Sequence, residues 1–160
     1  MTAQTTDTSV TTSIVVEAPI ARAFKVFTDD MGSWWTPEHH ILQAELKEMV
    51  FEPRVDGRII DRGVDGSECA WGRVLAYEPP DRVVFSWDIT LQWQLETDPA
   101  CASEVEVRFV AESPTRTRVE LEHRHLDRHG DGWENMRDAV GAPDGWSHGL
   151  QRFADRMAAG

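Results

Sequence analysis

The feature that most constrains this chain is a run of two-residue hydrophobic alternation through its middle. At 103–112 apolar residues alternate with charged ones, and the same pattern returns at 118–126. Period-two alternation places successive side chains on opposite faces of a β-strand. Six strand-like segments follow one another, at 46–52, 58–62, 68–77, 82–89, 103–112 and 118–126. Asp-Gly and Pro-Pro-Asp turn signals separate several of them, so the sequence predicts an antiparallel meander.

Helical patterns flank this meander. A first strand is predicted at 10–17, and Pro19 then opens a short amphipathic helix over 19–29. Asp30 to Trp35 predicts a second brief helix or turn, which Pro37 ends. The final helix is predicted over 144–158. The order predicts an α+β fold, in which a curved seven-stranded antiparallel sheet wraps around a long C-terminal helix, with two short helices after the first strand.

Length and charge narrow the class of protein. The 160 residues predict one domain over 10–160, preceded by a flexible tail at 1–9. A net charge of −12 argues against a nucleic-acid or anionic membrane partner, because binding phosphates requires a basic surface. No apolar run reaches the ~18–20 residues of a membrane span, and no signal pattern is present. We therefore expect a cytoplasmic protein, monomeric or homodimeric, with Cys69 and Cys101 as free thiols.

The chain resembles a known family over most of its length. The stretches that carry the resemblance are VEAPIARAFKVFTDDMGSWW at 16–35, FEPRVDGRI at 51–59, DGSECAWGRVLAYEPPDRVVFSWDI at 65–89 and GWSHGLQRFADRM at 145–157. They are similar to the START/Bet v 1-like (SRPBCC) superfamily, in the branch of the C-terminal domain of the activator of Hsp90 ATPase. The resemblance implies a helix-grip fold whose cavity, between sheet and C-terminal helix, holds an apolar or amphipathic small molecule. Some relatives catalyse cyclisation or dehydration of polyketides.

Large aromatic residues support such a cavity. Seven tryptophans in 160 residues exceed what core filling usually requires, and aromatic side chains commonly line ligand pockets. Residues on the expected inward faces form an apolar bowl that faces the last helix. The predicted ligand contacts are Phe27, Trp35, Trp71, Phe85, Trp87, Val107, Phe109, Leu121, His123, Trp146, Leu150, Phe153 and Met157. The inward parity of 68–77 stays open, since Trp71, Leu75 and Tyr77 compete with Val74 and Ala76.

Two pairs of histidines are candidates for polar chemistry. His123 and His125 share one face of the predicted last strand, and imidazole titrates near neutral pH, which suits a polar ligand contact or an acid/base role. His39 and His40 are expected at the cavity rim or in solvent, beyond Met31 and one of Trp34 or Trp35, which should plug one end. No HExxH or Cys-His spacing indicates a metal, and no glycine-rich phosphate loop indicates a nucleotide. We expect no metal and no cofactor.

Three functions remain open at this point. The first is binding of a small hydrophobic or amphipathic molecule without covalent chemistry. The second is an enzyme of the cyclase, dehydratase or isomerase type, with His123 or His125 as general acid/base. No GxSxG motif or local Cys–His signature supports a covalent nucleophile or a catalytic residue of that kind. The third is a chaperone- or stress-linked interaction module.

Overall fold

A computed structural model describes residues 4–6, 8–36 and 39–159, and these form an eight-stranded antiparallel sheet with three α-helices. The strands are β1 (Gln4–Thr6), β2 (Ser9–Val16), β3 (Leu46–Phe51), β4 (Arg58–Gly63), β5 (Glu68–Glu78), β6 (Arg82–Trp87), β7 (Ser103–Ser113) and β8 (Arg116–Arg124). The helices are α1 (Ile20–Thr28), α2 (Trp133–Val140) and α3 (Trp146–Ala158). Short 3-10 turns occupy Met31–Ser33, Pro99–Cys101 and Leu126–His129. No helix in these ranges is long and apolar enough to cross a bilayer.

The sheet has the order β1-β2-β8-β7-β6-β5-β4-β3. From β3 to β8 each strand pairs with the next one along the chain, and β8 then pairs with β2, with Ile14 opposite Val119. The curled sheet packs around α3, where the Thr12 and Ser147 hydroxyls lie 3.4 Å apart. This arrangement confirms the predicted helix-grip fold and all seven predicted strands.

The N-terminus differs from expectation. Gln4–Thr6, predicted to lie in a tail, pairs with Ser9–Thr11 as an additional edge strand. Its residues are polar, and backbone hydrogen bonding along an edge does not require apolar side chains, so no hydrophobic pattern marked it. Residues 1–3 and 7 of the predicted tail lie outside the described residues, as does Pro37.

The sequence left open which residues of β5 face the interior, and two shifts in strand pairing explain the observed pattern. Between β4 and β5 the partners step from Ile59↔Gly72 to Ile60↔Ala70, so Trp71 is an extra residue on β5. A second shift follows at Leu75, between the pairs made by Val74 and Ala76. Each β-bulge reverses the alternation of faces. Residues 71, 74 and 77 therefore all contact the interior, at a spacing of three that neither simple parity predicts.

Candidate ligand-binding cavity

A cavity of about 480 Å³ lies between the sheet and the N-terminal end of α3. Its wall comes from the segment after α1, from β4 and β5, from the end of β6 with the loop that follows, and from the α2–α3 connection. The lining residues are Trp34, Trp35, Thr36, His39, His40, Ile41, Asp61, Trp71, Trp87, Ile89, Trp93, Ala139, Val140, Ala142, Asp144, Gly145, Trp146 and Gly149. The wall is predominantly apolar and aromatic, with a few polar groups, which is the usual composition of small-molecule sites.

Four of the lining tryptophans form a closed set of contacts, which we call the tryptophan cage. Trp35 lies 5.4 Å from Trp71 and 5.6 Å from Trp146, measured between ring centroids. Trp87 completes the cage, at 5.6 Å from Trp71 and 5.7 Å from Trp146. The rings meet at tilted or edge-on angles, the arrangements that aromatic quadrupoles favour.

Each member of the cage stands where a regular element ends or is interrupted. Trp71 is the bulged residue of β5, Trp87 is the last residue of β6, and Trp146 is the first residue of α3. Trp35 follows the 3-10 turn Met31–Ser33. The cavity therefore occupies one end of the fold, where strand and helix ends bring large side chains together without a regular ladder between them.

The thirteen residues predicted to contact ligand divide into two groups. Trp35, Trp71, Trp87 and Trp146 line the cavity. The other nine are buried in the packed core and are not among the residues that line it: Phe27, Phe85, Val107, Phe109, Leu121, His123, Leu150, Phe153 and Met157. The expected bowl is thus largely filled by side chains, and which of the thirteen residues contact a ligand stays a prediction.

The filling has an identifiable cause in the aromatic residues of α1 and α3. The Phe27 ring lies 5.3 Å from Phe153 and 5.6 Å from Phe109, so the three close the space between sheet and helix. Trp34 adds a further ring at 4.7 Å from Phe27, and it also borders the cavity. With Met31 buried beside it, Trp34 separates the packed core from the cavity.

His123 is buried and engaged at both ring nitrogens. Its Nδ1 accepts a hydrogen bond of 3.0 Å from the Trp146 indole N–H, and its Nε2 lies 2.7 Å from the Ser103 hydroxyl. Burial lowers the pKa of His123 to about 3, with a smaller contribution from His129. An imidazole held neutral in this way is poorly suited to exchange protons with a ligand near neutral pH.

The same hydroxyl connects His123 to a second histidine. Ser103 Oγ also lies 2.8 Å from Nε2 of His129, in the turn Leu126–His129. Burial lowers the pKa of His129 as well, against the opposing charge of Glu96. In the described parts of the chain, no group of three or more His, Cys, Asp or Glu side chains is placed to hold a metal ion.

The prediction that His125 shares a strand face with His123 is wrong. Strand β8 ends at Arg124, and His125 adopts a left-handed conformation with φ of 60°. Its side chain is exposed and does not line the cavity, so it lies outside the candidate site. The alternating sequence continued past the point where the backbone turns, and alternation alone could not show that turn.

His39 and His40 both line the cavity, close to the tryptophan cage. The carbonyl of His39 accepts a hydrogen bond of 2.7 Å from the Trp35 indole, and Nδ1 of His40 donates to the Leu42 carbonyl at 2.9 Å. The His40 proton is therefore assigned to Nδ1, because a carbonyl oxygen only accepts. Its Nε2 is the nitrogen left to interact with other groups.

Asp61 is a site residue that sequence reasoning missed. It lies on β4, is 2% exposed, and lines the cavity. The Trp71 indole N–H donates to its Oδ1 at 3.0 Å. Burial raises the pKa of Asp61 to about 6, although the Trp71 hydrogen bond and the charge of His40 act in the opposite direction. A usable signal was present: Asp61 follows Ile59 and Ile60 in a predicted strand, where a carboxylate is unusual without a partner.

Comparison with known proteins identifies the family. The profile of the Activator of Hsp90 ATPase homolog 1-like family matches residues 17–158. The chain belongs to this family. A comparison with curated proteins gave no significant match.

Several solved structures are similar to this family member over nearly its whole length. Txn09, an anthrahydroquino-gamma-pyrone synthase complexed with SUM, is 41% identical, with coverage of 93% of this chain and 96% of that one and a TM-score of 0.66. CalC, a self-sacrificing resistance protein from Micromonospora echinospora, is 29% identical, with 96% of each chain covered and a TM-score of 0.60. Protein NE0264 from Nitrosomonas europaea, 12% identical over 98% of this chain and 99% of its own, has a TM-score of 0.68 and shows the fold alone.

Proposed function

We propose that this protein binds a flat polycyclic aromatic molecule, of the kind that polyketide chemistry produces, in the cavity that the tryptophan cage lines. The observation that carries the proposal is the continuous aromatic wall that Trp35, Trp71, Trp87 and Trp146 give to a cavity of about 480 Å³. Indole faces offer a large apolar surface to a planar ring system at little entropic cost. The volume lies within the ~300–1,000 Å³ typical of small-molecule pockets.

The relatives support the same ligand class. The name of Txn09 describes the synthesis of a fused aromatic pyrone, and that protein is 41% identical to this chain over most of its length. CalC, at 29% identity, is described as a resistance protein. We carry over from Txn09 only the expectation of a polycyclic aromatic ligand. A cytoplasmic location, and a monomeric or homodimeric state, belong to the same proposal.

Tryptophan fluorescence tests this proposal with 2-hydroxyanthraquinone as the probe. We expect quenching that saturates with added probe and a melting temperature that rises with probe concentration, by the equivalent of ~2.7 kcal/mol at 100 Kd. Native mass spectrometry of the mixture should show one bound molecule per chain. If the probe leaves fluorescence, melting temperature and mass unchanged, the proposal is wrong.

Two matched tryptophan variants test whether the probe binds in the cavity. Trp87→Phe removes part of the cage, whereas Trp133→Phe changes a half-buried indole on α2 that does not line the cavity. We expect the first variant to weaken binding by about 2- to 13-fold, as the loss of one aromatic contact of about 0.5–1.5 kcal/mol implies. The second should bind as the parent does. Equal effects of the two variants would place the probe elsewhere.

A second candidate function, acid–base catalysis on the bound molecule, is favoured by Asp61. Its carboxyl group lies on the cavity wall, and its pKa of about 6 suits proton transfer near neutral pH. This residue takes the role that the sequence assigned to His123 or His125. With a substrate in hand, Asp61→Asn should lower turnover by ~100-fold or more while the substrate still binds. Unchanged turnover in that variant would leave binding as the whole function.

The chaperone-linked alternative draws its support from the family description alone. It predicts a stable complex with a chaperone in a pull-down and no response to small aromatic molecules. The fluorescence titration above therefore separates it from the binding proposal.

A further inference from the structure

Asp61 is the acidic residue of the cavity wall that is withdrawn from solvent. Asp144, the other carboxylate lining the cavity, is exposed on the α2–α3 connection. Asp61 instead lies within β4, opposite Cys69 of β5, and is 2% exposed. Burying a carboxylate is costly unless it is paired with a charge or fully hydrogen-bonded. Its retention at this position therefore calls for a role.

The hydrogen bonding of Asp61 is incomplete. Oδ1 accepts the Trp71 indole N–H at 3.0 Å, which fixes the orientation of the carboxylate. Oδ2 accepts no hydrogen bond from any residue that the structure describes, and neither lysine nor arginine forms an ion pair with this group in the same part of the chain. A carboxylate has about four acceptor positions, so most of the capacity of Asp61 remains available at the cavity.

The groups around Asp61 explain why it can ionise there. His40, which lines the same wall, lowers its pKa through its charge, while burial raises it more strongly, to about 6. Across the strand pair, burial first and the charge of Asp61 second raise the pKa of the Cys69 thiol, which stays neutral near pH 7. His39 and Asp144 are the other titratable groups on the cavity wall. At neutral pH the ionised carboxylate of Asp61 is a buried hydrogen-bond acceptor on the cavity wall.

We propose, on the basis of the proposed function, that Asp61 accepts a hydrogen bond from a hydroxyl group of the aromatic ligand, so that the cavity selects phenolic polycyclic molecules over their ethers and unsubstituted parents. A phenol O–H donates to a carboxylate in a short, charge-assisted bond. A methyl ether has no proton to donate, and its oxygen would leave Asp61 buried without a donor. The penalty for such an unpaired group is what makes hydrogen-bonded recognition selective.

The test compares 2-hydroxyanthraquinone with 2-methoxyanthraquinone, whose ring systems are the same. Dissociation constants come from tryptophan quenching of the full chain at pH 7. We expect the hydroxy compound to bind about 10- to 100-fold more tightly, as a hydrogen bond to a charged acceptor implies. In Asp61→Asn, which keeps an oxygen acceptor for Trp71, that preference should fall to about 3-fold or less. Asp144→Asn is the matched control and should keep the full preference.

The pH dependence of the preference for the hydroxy compound over the methoxy compound gives a second readout. As the pH falls from 7 to 5, protonation of Asp61 should reduce the preference for the hydroxy compound in the parent protein. The preference in Asp61→Asn should not change over this range. His40→Gln should retain the fall in preference but move it to higher pH, because the charge of His40 no longer lowers the pKa of Asp61.

The possible outcomes are distinct. If neither compound binds the parent protein, the proposed function is wrong. If both bind the parent equally, or if Asp61→Asn keeps a preference of 10-fold or more, the binding function stands and the assignment of Asp61 is overturned. Melting curves of each variant establish that it is folded before its affinity is measured.

Discussion

The indole N–H of Trp146 lies 3.0 Å from Nδ1 of His123, and this contact determines how a buried chain of hydrogen bonds runs. An indole nitrogen only donates, so Nδ1 of His123 accepts and the proton sits on Nε2. Nε2–H then donates to Ser103, whose own hydroxyl proton is free to donate to His129 Nε2. The cage residue Trp146 is thereby joined through the core to the turn that follows β8.

Replacing Trp146 with Phe should destabilise the protein because it breaks this chain of hydrogen bonds at its first donor. The variant keeps an aromatic ring but leaves Nδ1 of His123 buried without a donor. We expect the free energy of unfolding to fall by about 1–3 kcal/mol for the unsatisfied acceptor. Urea unfolding followed by circular dichroism measures the loss.

The control for that change is Trp35→Phe, whose indole N–H donates to an exposed carbonyl, that of His39. Water can replace this bond, so its loss should cost less than about 1 kcal/mol. Equal losses in the two variants would show that the buried acceptor contributes nothing specific.

Acid should destabilise the protein through His123. In the unfolded chain this residue binds a proton below pH ~6.5, whereas in the folded protein it stays neutral until about pH 3. Between these values the unfolded state holds more protons, so stability is fully present above pH ~6.5 and falls as the pH drops. The slope is at most about 1.4 kcal/mol per pH unit for one group. His129, with its pKa lowered by burial, acts in the same direction.

The measurement is the difference in unfolding free energy between the parent and His123→Gln from pH 7.5 to 4. His125→Gln, which changes an exposed histidine, is the matched control. The difference between parent and His123→Gln should shrink as the pH falls, while that for His125→Gln stays flat. A constant difference in both would contradict the buried neutral state.

The contribution of Asp61 to the free energy of unfolding should change with pH in the direction opposite to that of His123. Its folded pKa of about 6 lies above its ordinary value of 3.8, so between these pH values the unfolded chain releases a proton that the folded protein keeps. The free energy of unfolding therefore falls as the pH rises from about 4 to about 6, and the full penalty is present above pH 6. Asp61→Asn removes that penalty and should stabilise the protein at pH 7.5 by about 1–3 kcal/mol, with little effect at pH 4. Urea unfolding at the two pH values checks this, with Asp144→Asn as the exposed control. A loss of stability at pH 7.5 would show that the carboxylate is well compensated in the fold.

Core substitutions should separate stability from affinity. Leu150 and Phe153 are fully buried but lie away from the cavity. Leu150→Ala should cost about 2–5 kcal/mol of unfolding free energy, since it opens a void in a packed region. At a temperature where the variant is folded, its affinity for 2-hydroxyanthraquinone should match that of the parent. A loss of 10-fold or more would mean that the ligand extends into the core.

The sequence predicted the fold well because the fold depends on periodicity. Alternation across 103–112 and 118–126 and the apolar stripe of α3 each require one face to be buried, and the structure buries those faces. The extent of the cavity could not be predicted in the same way, because the filling of a core is a three-dimensional property. Phe27 and Phe153 are 126 positions apart in the numbering of the chain, yet their rings lie 5.3 Å apart. No local pattern shows that two such side chains meet.

The inward pattern of β5, which the sequence left open, has a different cause. The pairing of β4 with β5 is irregular, and the extra residue Trp71 changes which side chains of β5 face inward. A bulge has little signature in a single sequence, because the residues on either side keep strand-like composition. Trp35, Trp71, Trp87 and Trp146 were predicted as ligand contacts from the number and size of the tryptophans, which do not depend on register. All four line the cavity, and their contact with a ligand stays a prediction.

The position of the cavity at one end of the fold has a consequence for how such proteins diverge. Apart from Trp34, its wall draws on the segments 35–36, 39–41, 87–93 and 139–146, much of which lies outside the regular strands and helices. Substitutions there reshape the space offered to a ligand without disturbing the contacts of Phe27, Phe109 and Phe153 that stabilise the fold. Mutations in this wall can therefore change which ligand the protein binds while the packed core beside the cavity preserves its thermodynamic stability.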